Sequence, residues 1–248
     1  TFLESEERCR LANSRLRTSF DARLERMRRY IRYVIGDAPS NSWMDLCDYT
    51  SGASLGVHGN STHLARKLLV EKITVTPTAL PYYITALNRN RTYNERFCIV
   101  KDGFRTADMD SERLLSHVQM VSYNKLAFVP KTAKTHRSIA VEPLGNSYLQ
   151  KGIDQYLRLR LKRVGIDLSD QSKNQRLARE GSVTGRLATI DLSNASDSVS
   201  IELCAAVLPW EWFSLLNCTR SPSYIYGGDP VRYEKFVTMG NGFCFPLQ

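Results

Sequence analysis

The stretch ATIDLSNASDSVS, residues 188–200, brings two aspartates close together directly after an apolar run. LATI (187–190) predicts a short strand that ends at Asp191, and Asp197 falls in the turn or first turn of a helix predicted over 195–208. Two carboxylates held by a strand end and the following turn suit Mg²⁺, which takes hard oxygen ligands and bridges to substrate phosphates. The alternative is structural, since aspartate is also common at strand ends and as a helix N-cap.

A second group of candidate residues is basic. VPKTAKTHR (129–137) carries Lys131, Lys134 and Arg137 at intervals of three, on a loop without acidic residues. Three cations without counterions repel one another, and this arrangement makes sense where a triphosphate supplies the negative charge. A solvated basic hairpin explains the same residues equally well.

A third motif is MGNGFCF (239–245), in which Gly240 and Gly242 flank Asn241. The glycines permit close backbone approach, and the Asn241 amide can both donate to and accept from a sugar hydroxyl. In isolation the motif is a weak indication of a ligand site.

Mixed periodicities predict an α+β fold, because helices and strands occur without regular βαβ alternation. The predicted helices cover 8–32 with a possible break near Thr18, a short segment from Ser42 through Tyr49, 76–90, 146–164 and 195–208. The predicted strands cover 96–103, Leu126–Val129, Arg137–Val141 and 187–190. The small-residue segment 51–62 lacks the P-loop pattern, so it is either a connecting loop or a loop that touches ligand.

Charge is distributed unevenly along the 248 residues, which carry 34 Lys and Arg, 25 Asp and Glu, and a net charge of +9. Residues 151–186 hold nine basic and four acidic side chains, whereas 187–248 hold three and six. A cationic part beside an anionic part suits a protein that grips polyphosphate and holds divalent cations. For 8–32 we favour the alternative of an amphipathic helix with a solvated arginine face.

Several classes of protein lose support from composition. The six cysteines are far apart, without C-x-x-C pairs or zinc-finger spacing, so we expect buried thiols in a reducing compartment. No apolar run approaches the ~18 residues of a membrane span. The sequence begins with Thr and stops inside an apolar segment without a terminal signal, so we expect an internal fragment.

Taken in order, four segments resemble one known family. VPKTAKTHRSIAVEP (129–143), DQSKNQRLAREGSVT (170–184), LATIDLSNASDSVS (187–200) and YEKFVTMGNGFCFPLQ (233–248) look like the replicase β subunit of single-stranded RNA bacteriophages, the levivirus group. The resemblance covers nearly the whole chain. It implies an RNA-directed RNA polymerase of the right-hand palm type.

The resemblance also implies roles for the acidic and amide residues. Asp191 matches the first metal-binding aspartate of the polymerase palm, and the implied cofactor is Mg²⁺. Asp197 matches the second acid of that motif, which helps to read the ribose 2′-OH, and Asn241 matches the residue that assists it. Because Asp197 and Asn241 would contact the ribose 2′-OH, the resemblance argues against a reverse transcriptase.

For the remaining candidates, the resemblance implies contacts with the nucleotide. Lys131, Lys134 and Arg137 match the basic strand and loop of the fingers that hold the incoming triphosphate. Gly240 and Gly242 match the flexible loop under the nascent base pair.

The implied organisation is a fingers region at 1–186, with the triphosphate-binding loop at 129–142, followed by the first part of the palm at 187–248. The family's Tyr-Gly-Asp-Asp hairpin is absent. Tyr-Gly-Gly-Asp (226–229) imitates it, but it precedes the glycine-flanked loop and has a single acid, so we interpret Asp229 as a turn residue.

The implied setting is the cytoplasm of the infected bacterial host, with no membrane partner. The partners implied are RNA template and product, ribonucleoside triphosphates, and, for some relatives, host translation elongation factors and a ribosomal protein. The fragment alone is predicted to be inactive. The alternative function is a non-catalytic basic RNA-binding module, in which Asp191 and Asp197 merely cap a helix.

Overall fold

The strands of this chain form one larger sheet and two small ones. The structure is a computed structural model that describes residues 1–18, 21–58, 63–131, 133, 136–190 and 194–248. Its strands are β1 (Ile73–Val75), β2 (Cys98–Lys101), β3 (Phe104–Met109), β4 (Val118–Met120), β5 (Tyr123–Pro130), β6 (His136–Val141), β7 (Ser223–Ile225) and β8 (Val231–Arg232). The larger sheet has the order β6-β5-β7-β8, while β1 pairs with β4 and β2 pairs with β3.

Helices make up the rest of the regular structure. They are α1 (Phe2–Thr18), α2 (Ala22–Ile35), α3 (Leu64–Leu68), α4 (Leu80–Arg89), α5 (Arg91–Asn94), α6 (Ser111–Ser116), α7 (Leu144–Arg163), α8 (Ser172–Thr184), α9 (Ile201–Val207), α10 (Trp210–Thr219) and α11 (Cys244–Leu247). Short 3-10 helices cover Asn41–Leu46, Glu95–Phe97 and Ser196–Ser198. No helix of the described residues is long and apolar enough to cross a membrane.

Helix α7 is the centre of the main hydrophobic core, and its first eleven residues are buried apart from Lys151. It packs against the 3-10 helix Asn41–Leu46, α4, α2 and β1. Gly152 permits the closest of these approaches, because a Cβ there would lie 2.6 Å from the carbonyl oxygen of Trp43. The core also includes Trp212 of α10 and Phe243, so both predicted regions, 1–186 and 187–248, contribute to it.

The larger sheet joins distant parts of the sequence. β5 pairs antiparallel with β6 in an unbroken register from Lys125 opposite Val141 to Pro130 opposite His136. Its other edge pairs in parallel with β7, where Tyr123 lies opposite Ser223. The basic hairpin is therefore anchored directly to the last quarter of the chain.

Helix α1 is also fixed by residues far away in sequence. The Asn13 amide donates to the backbone carbonyl of Glu234 at 2.9 Å and accepts from the backbone N–H of Glu202 at 3.0 Å. The Glu6 carboxylate accepts from the backbone N–H of Glu234 at 2.7 Å. One face of α1 is thus held by polar contacts to the chain around α9 and residue 234.

The structure confirms the predicted α+β class and most of the predicted elements. The helical segment 8–32 divides into α1 and α2 after Thr18, the hairpin of β5 and β6 forms as expected, and α7 ends before Gly165, whose φ is 83°. The bend at 226–229 connects β7 to β8, as predicted for Asp229. All six cysteines are free, and five are buried.

Two expectations about the last quarter of the chain were wrong. LATI (187–190) is not a strand, and Ile190 is 82% exposed. An extended segment needs a neighbouring strand to satisfy its backbone groups, and none of the described residues supplies one here. The helix predicted over 195–208 is shorter, because Ser200 caps α9 by accepting from the backbone N–H of Leu203. The helix α8 was not predicted.

Candidate functional site

Of the two candidate aspartates, the structure describes only Asp197. Asp191 lies outside the described residues, as does Lys134 of the basic group. Asp197 lies within the 3-10 helix Ser196–Ser198, and its side chain is 15% exposed. It does not cap α9, because Ser200 does so, and the prediction that Asp197 is the helix N-cap is therefore wrong.

Asp197 instead forms an ion pair with a buried lysine. Nζ of Lys235 lies 2.7 Å from Oδ1 of Asp197 and 3.6 Å from Oε1 of Glu6, and it stands 3.7 Å from the centroid of the Phe2 ring. Burial raises the pKa of Glu6, while the neighbouring ammonium group and the backbone N–H of Glu234 oppose that shift. Lys235 therefore links α1 to the segment that carries Asp197.

Asp197 is better suited to a polar ligand than to a metal ion. Its Oδ2 accepts no hydrogen bond from the described residues, but an ammonium group beside its other oxygen disfavours a second cation. Elsewhere in the described part of the chain, no three His, Cys, Asp or Glu side chains cluster closely enough to hold a metal ion. A metal site would therefore depend on Asp191.

The basic hairpin presents its described cations to solvent. Lys131 follows the end of β5 and Arg137 lies on β6 opposite Val129, and both side chains are exposed. Within the described ranges, neither forms an ion pair with an acidic side chain. Their charges are available to an anionic ligand.

The glycine-flanked loop, residues 238–242, lies directly against β6. The backbone N–H of Ala140 donates to the carbonyl of Met239 at 2.7 Å. Gly240 has a φ of 113°, and a Cβ at this position would overlap the carbonyl oxygen of Ala140. Glycine is required here both by the backbone conformation and by the close approach. The fold therefore brings the loop 238–242 to the strand that carries Arg137.

The side chain of Asn241 is buried rather than displayed. Its Oδ1 accepts from the backbone N–H of Thr238 at 2.7 Å, and its Nδ2 donates to Oε1 of Glu142 at 3.0 Å. Gln150 of α7 makes an equivalent pair of contacts. Its Oε1 accepts from the backbone N–H of Gly242 at 2.9 Å, and its Nε2 donates to Oε2 of Glu142. Asn241 and Gln150 thus connect the loop 238–242 to one carboxylate.

A buried thiol follows this loop. Burial raises the pKa of the Cys244 thiol to about 11, the side chain of Gln248 opposes that shift, and the charge of Asp197 adds a smaller increase. Cys244 begins α11, directly after the loop.

Sequence reasoning missed Glu142, Gln150 and Lys235. Glu142 carried a signal, since it is the one acid between residues 125 and 150 and comes directly after an apolar strand. Lys235 carried a weaker one, as a lysine in the anionic last quarter. Gln150 had none, because it reads as an ordinary polar residue of α7.

Comparison with known proteins identifies the family of this chain. The chain belongs to the family described as RNA replicase, beta-chain, which matches residues 1–248. It is 38% identical over 259 residues to the RNA-directed RNA polymerase subunit beta of Escherichia virus Qbeta, covering 100% of this chain and 40% of that protein.

Two further relatives carry similar names. The RNA-directed RNA polymerase beta chain of Escherichia phage MS2 is 40% identical over 232 residues, covering 88% of this chain and 38% of that protein. The RNA-directed RNA polymerase subunit beta of Enterobacteria phage SP is 38% identical over 259 residues, covering 100% of this chain and 42% of that protein. The chain therefore spans about 40% of the length of these relatives.

Proposed function

We propose that this chain is part of an RNA-directed RNA polymerase that copies a phage RNA genome from ribonucleoside triphosphates. The observation that carries the proposal is the docking of the loop 238–242 on β6, where the Ala140 N–H meets the Met239 carbonyl at 2.7 Å. A nucleotide bound beside the exposed Arg137 would therefore lie next to a closely packed backbone loop. Membership of the replicase family supports the same reading.

In this proposal the basic residues bind the triphosphate. Lys131, Lys134 and Arg137 offset the charge of the phosphates, and guanidinium and ammonium groups are effective partners for phosphate oxygens. Gly240 and Gly242 let the loop lie beneath the nascent base pair. The fold that follows is a right-hand polymerase, with fingers at 1–186 and part of the palm at 187–248.

The acidic residues supply the metal ligand and the ribose contact. Asp191 is the proposed ligand of Mg²⁺, whose chemistry would be activation of the attacking hydroxyl and stabilisation of the pyrophosphate leaving group. Oδ2 of Asp197, which accepts no hydrogen bond from the residues that the structure describes, can accept from a ribose 2′-OH. Asn241 assists through the amide hydrogen that Glu142 does not use.

The proposal extends to partners and setting. RNA template and product would follow the cationic surface, and the full-length protein would work inside the infected bacterial host, in its cytoplasm. Host translation elongation factors and a ribosomal protein are proposed subunits of the complete enzyme. The 248 residues by themselves are proposed to be inactive in elongation.

Replacement of Asp191 tests the polymerase proposal. In the full-length polymerase, Asp191→Ala should abolish nucleotide incorporation while leaving RNA binding largely intact, because the metal ligand is lost and the cationic surface is kept. Asp229→Ala, at the exposed bend between β7 and β8, is the matched control and should retain activity. Retained incorporation by Asp191→Ala would refute the proposal.

A non-catalytic RNA-binding module remains the second candidate. It is favoured by the exposed Lys131 and Arg137, which form no ion pair within the described ranges. It predicts RNA binding that weakens steeply with salt and that is indifferent to Mg²⁺ and nucleotide. Titration of labelled RNA with and without both additives separates the two functions.

A further inference from the structure

The carboxylate of Glu142 is the meeting point of four separate segments, and its residue is 1% exposed. Oε1 accepts from Nδ2 of Asn124 at 2.6 Å and from Nδ2 of Asn241 at 3.0 Å. Oε2 accepts from Oγ of Ser221 at 2.9 Å and from Nε2 of Gln150 at 3.2 Å. These donors come from β5, the loop 238–242, the chain before β7, and α7.

We infer that Glu142 is a positioning residue that fixes the loop 238–242 through Asn241 and Gln150. The consequence for catalysis rests on the function proposed above. The structural part of the inference concerns only how this loop is held, and it can be tested on the chain without any reaction.

The two amides show why an acceptor is required at position 142. The oxygen of Asn241 is occupied by the backbone N–H of Thr238, and the oxygen of Gln150 by the backbone N–H of Gly242. Neither amide can be turned over without setting an NH₂ group against a backbone N–H. The NH₂ group of Asn241 therefore points at Glu142, and that of Gln150 is shared between Glu142 at 3.2 Å and the carbonyl of Thr219 at 3.0 Å. A carboxylate at position 142 offers acceptors on both oxygens.

Glutamine, a neutral side chain of the same shape, would not accept all four of these hydrogen bonds. Glutamine at this position would set its own NH₂ group either against the amides of Asn124 and Asn241 or against the amide of Gln150, so at least one of these contacts is lost. Burial raises the pKa of Glu142, whereas its hydrogen bonds and the positive charge of nearby Arg220 favour the ionised form. Arg220 is itself buried, which lowers its pKa to about 10.

The position of Glu142 along the chain connects the clamp to the proposed nucleotide site. β6 carries the exposed Arg137 and then Ala140, whose N–H supports the loop at Met239. Glu142 follows two residues later. One short segment therefore supplies a cation for the phosphates, the backbone support for the loop, and the carboxylate that holds the loop from beneath.

Hydrogen exchange on the 248-residue chain tests the clamp directly. In Glu142→Gln, the amides of Thr238 and Gly242 should exchange at least about tenfold faster than in the parent chain, because their acceptors lose their anchor. Asp154→Asn is the matched control: it removes another buried carboxylate, whose Oδ1 and Oδ2 are engaged by Arg158, Lys151 and Gln155 of the same helix. It should leave these two amides unchanged.

Kinetics of the full-length polymerase test the catalytic consequence. Glu142→Gln should raise the KM for ribonucleoside triphosphates about tenfold with a smaller change in kcat, since the loop contacts substrate before and during the reaction. Discrimination between ribo- and deoxyribonucleotides should fall as well. Asp154→Asn should keep the parent's KM and discrimination.

A second variant keeps the inference testable if Glu142→Gln fails to fold. Gln150→Met preserves side-chain volume but removes the acceptor of the Gly242 N–H, and it should reproduce the faster exchange and the higher KM. Unchanged exchange in the folded variants would overturn the inference. Faster exchange with unchanged KM and discrimination would overturn its catalytic consequence. If the unaltered full-length protein incorporates no nucleotide, the proposed function fails instead, while the exchange result still decides how the loop is held.

Discussion

Lys235 and Asp197 form a buried ion pair in which Nζ lies 2.7 Å from Oδ1 and the lysine side chain has no exposure to solvent. The same ammonium group lies 3.6 Å from Glu6 of α1. A buried cation between two carboxylates does more than neutralise them, because it fixes the distance between the helix and the segment that carries Asp197.

Removal of the lysine charge should destabilise the chain strongly. Lys235→Met leaves Asp197 and Glu6 without their shared counterion, and loss of one member of a buried ion pair costs about 3–5 kcal/mol. The free energy of unfolding, measured by urea titration, checks this. Lys162→Met, which breaks the exposed pair with Asp167, should cost less than about 1 kcal/mol. Equal losses in the two variants would contradict the buried role of Lys235.

Two glycines with positive φ should respond differently to alanine. Gly103→Ala, at the β2–β3 turn, meets no atom within 4 Å, so it should cost only the backbone strain of about 1–2 kcal/mol. Gly240→Ala adds an overlap with the Ala140 carbonyl and should cost about 3 kcal/mol or more. Thermal denaturation of both variants gives the comparison. A Gly240→Ala chain as stable as Gly103→Ala would show that the loop is not packed on β6.

Cys218 should be the first thiol to react in the folded chain. It is partly exposed, whereas the other five cysteines are buried. Burial raises the pKa of Cys9 to about 11 and that of Cys204 to about 12, so both are protonated at neutral pH and lack the reactive thiolate. Thiol titration followed by mass spectrometry should find a single fast modification, and six after unfolding. Cys218→Ser should remove the fast phase, and its persistence would refute the assignment.

Arg137 should matter for nucleotide affinity in the full-length polymerase. Arg137→Ala removes an exposed guanidinium that no described acidic residue neutralises, and the KM for ribonucleoside triphosphates should rise about tenfold. Arg105→Ala is the control, because this exposed arginine lies on β3 and pairs with Glu95. The KM of both variants is measured by single-nucleotide incorporation. A higher KM for Arg137→Ala than for Arg105→Ala indicates that Arg137 binds the triphosphate, and equal KM values would show that its charge is only solvated.

Local patterns in the sequence predicted the elements that are stabilised locally. The break after Thr18, the β5–β6 hairpin and the end of α7 before Gly165 each depend on side-chain periodicity or on a turn residue nearby. The same reasoning failed at LATI, where four apolar residues resemble a strand. Whether such a segment pairs depends on a neighbouring strand that its own sequence does not specify.

The candidate site was predictable in its residue types but not in its connections. Asp197, Arg137 and Asn241 stand in recognisable motifs. Their partners come from elsewhere: Lys235 is 38 positions from Asp197, and Glu142 is 99 positions from Asn241. Contacts of this kind are set by the tertiary fold, and no spacing rule along the chain reveals them.

The contacts of α1 set an order of events during synthesis. Asn13 bonds to residue 234, 221 positions later, so at translation rates of about 5–20 residues per second α1 waits roughly 10 to 40 s for its partner. During that interval Asn13 lacks the Glu234 carbonyl, and Phe2 lacks two of its cluster partners, Tyr224 and Tyr233. Helix α1 is therefore made early, and its polar contacts to the last quarter of the chain form late.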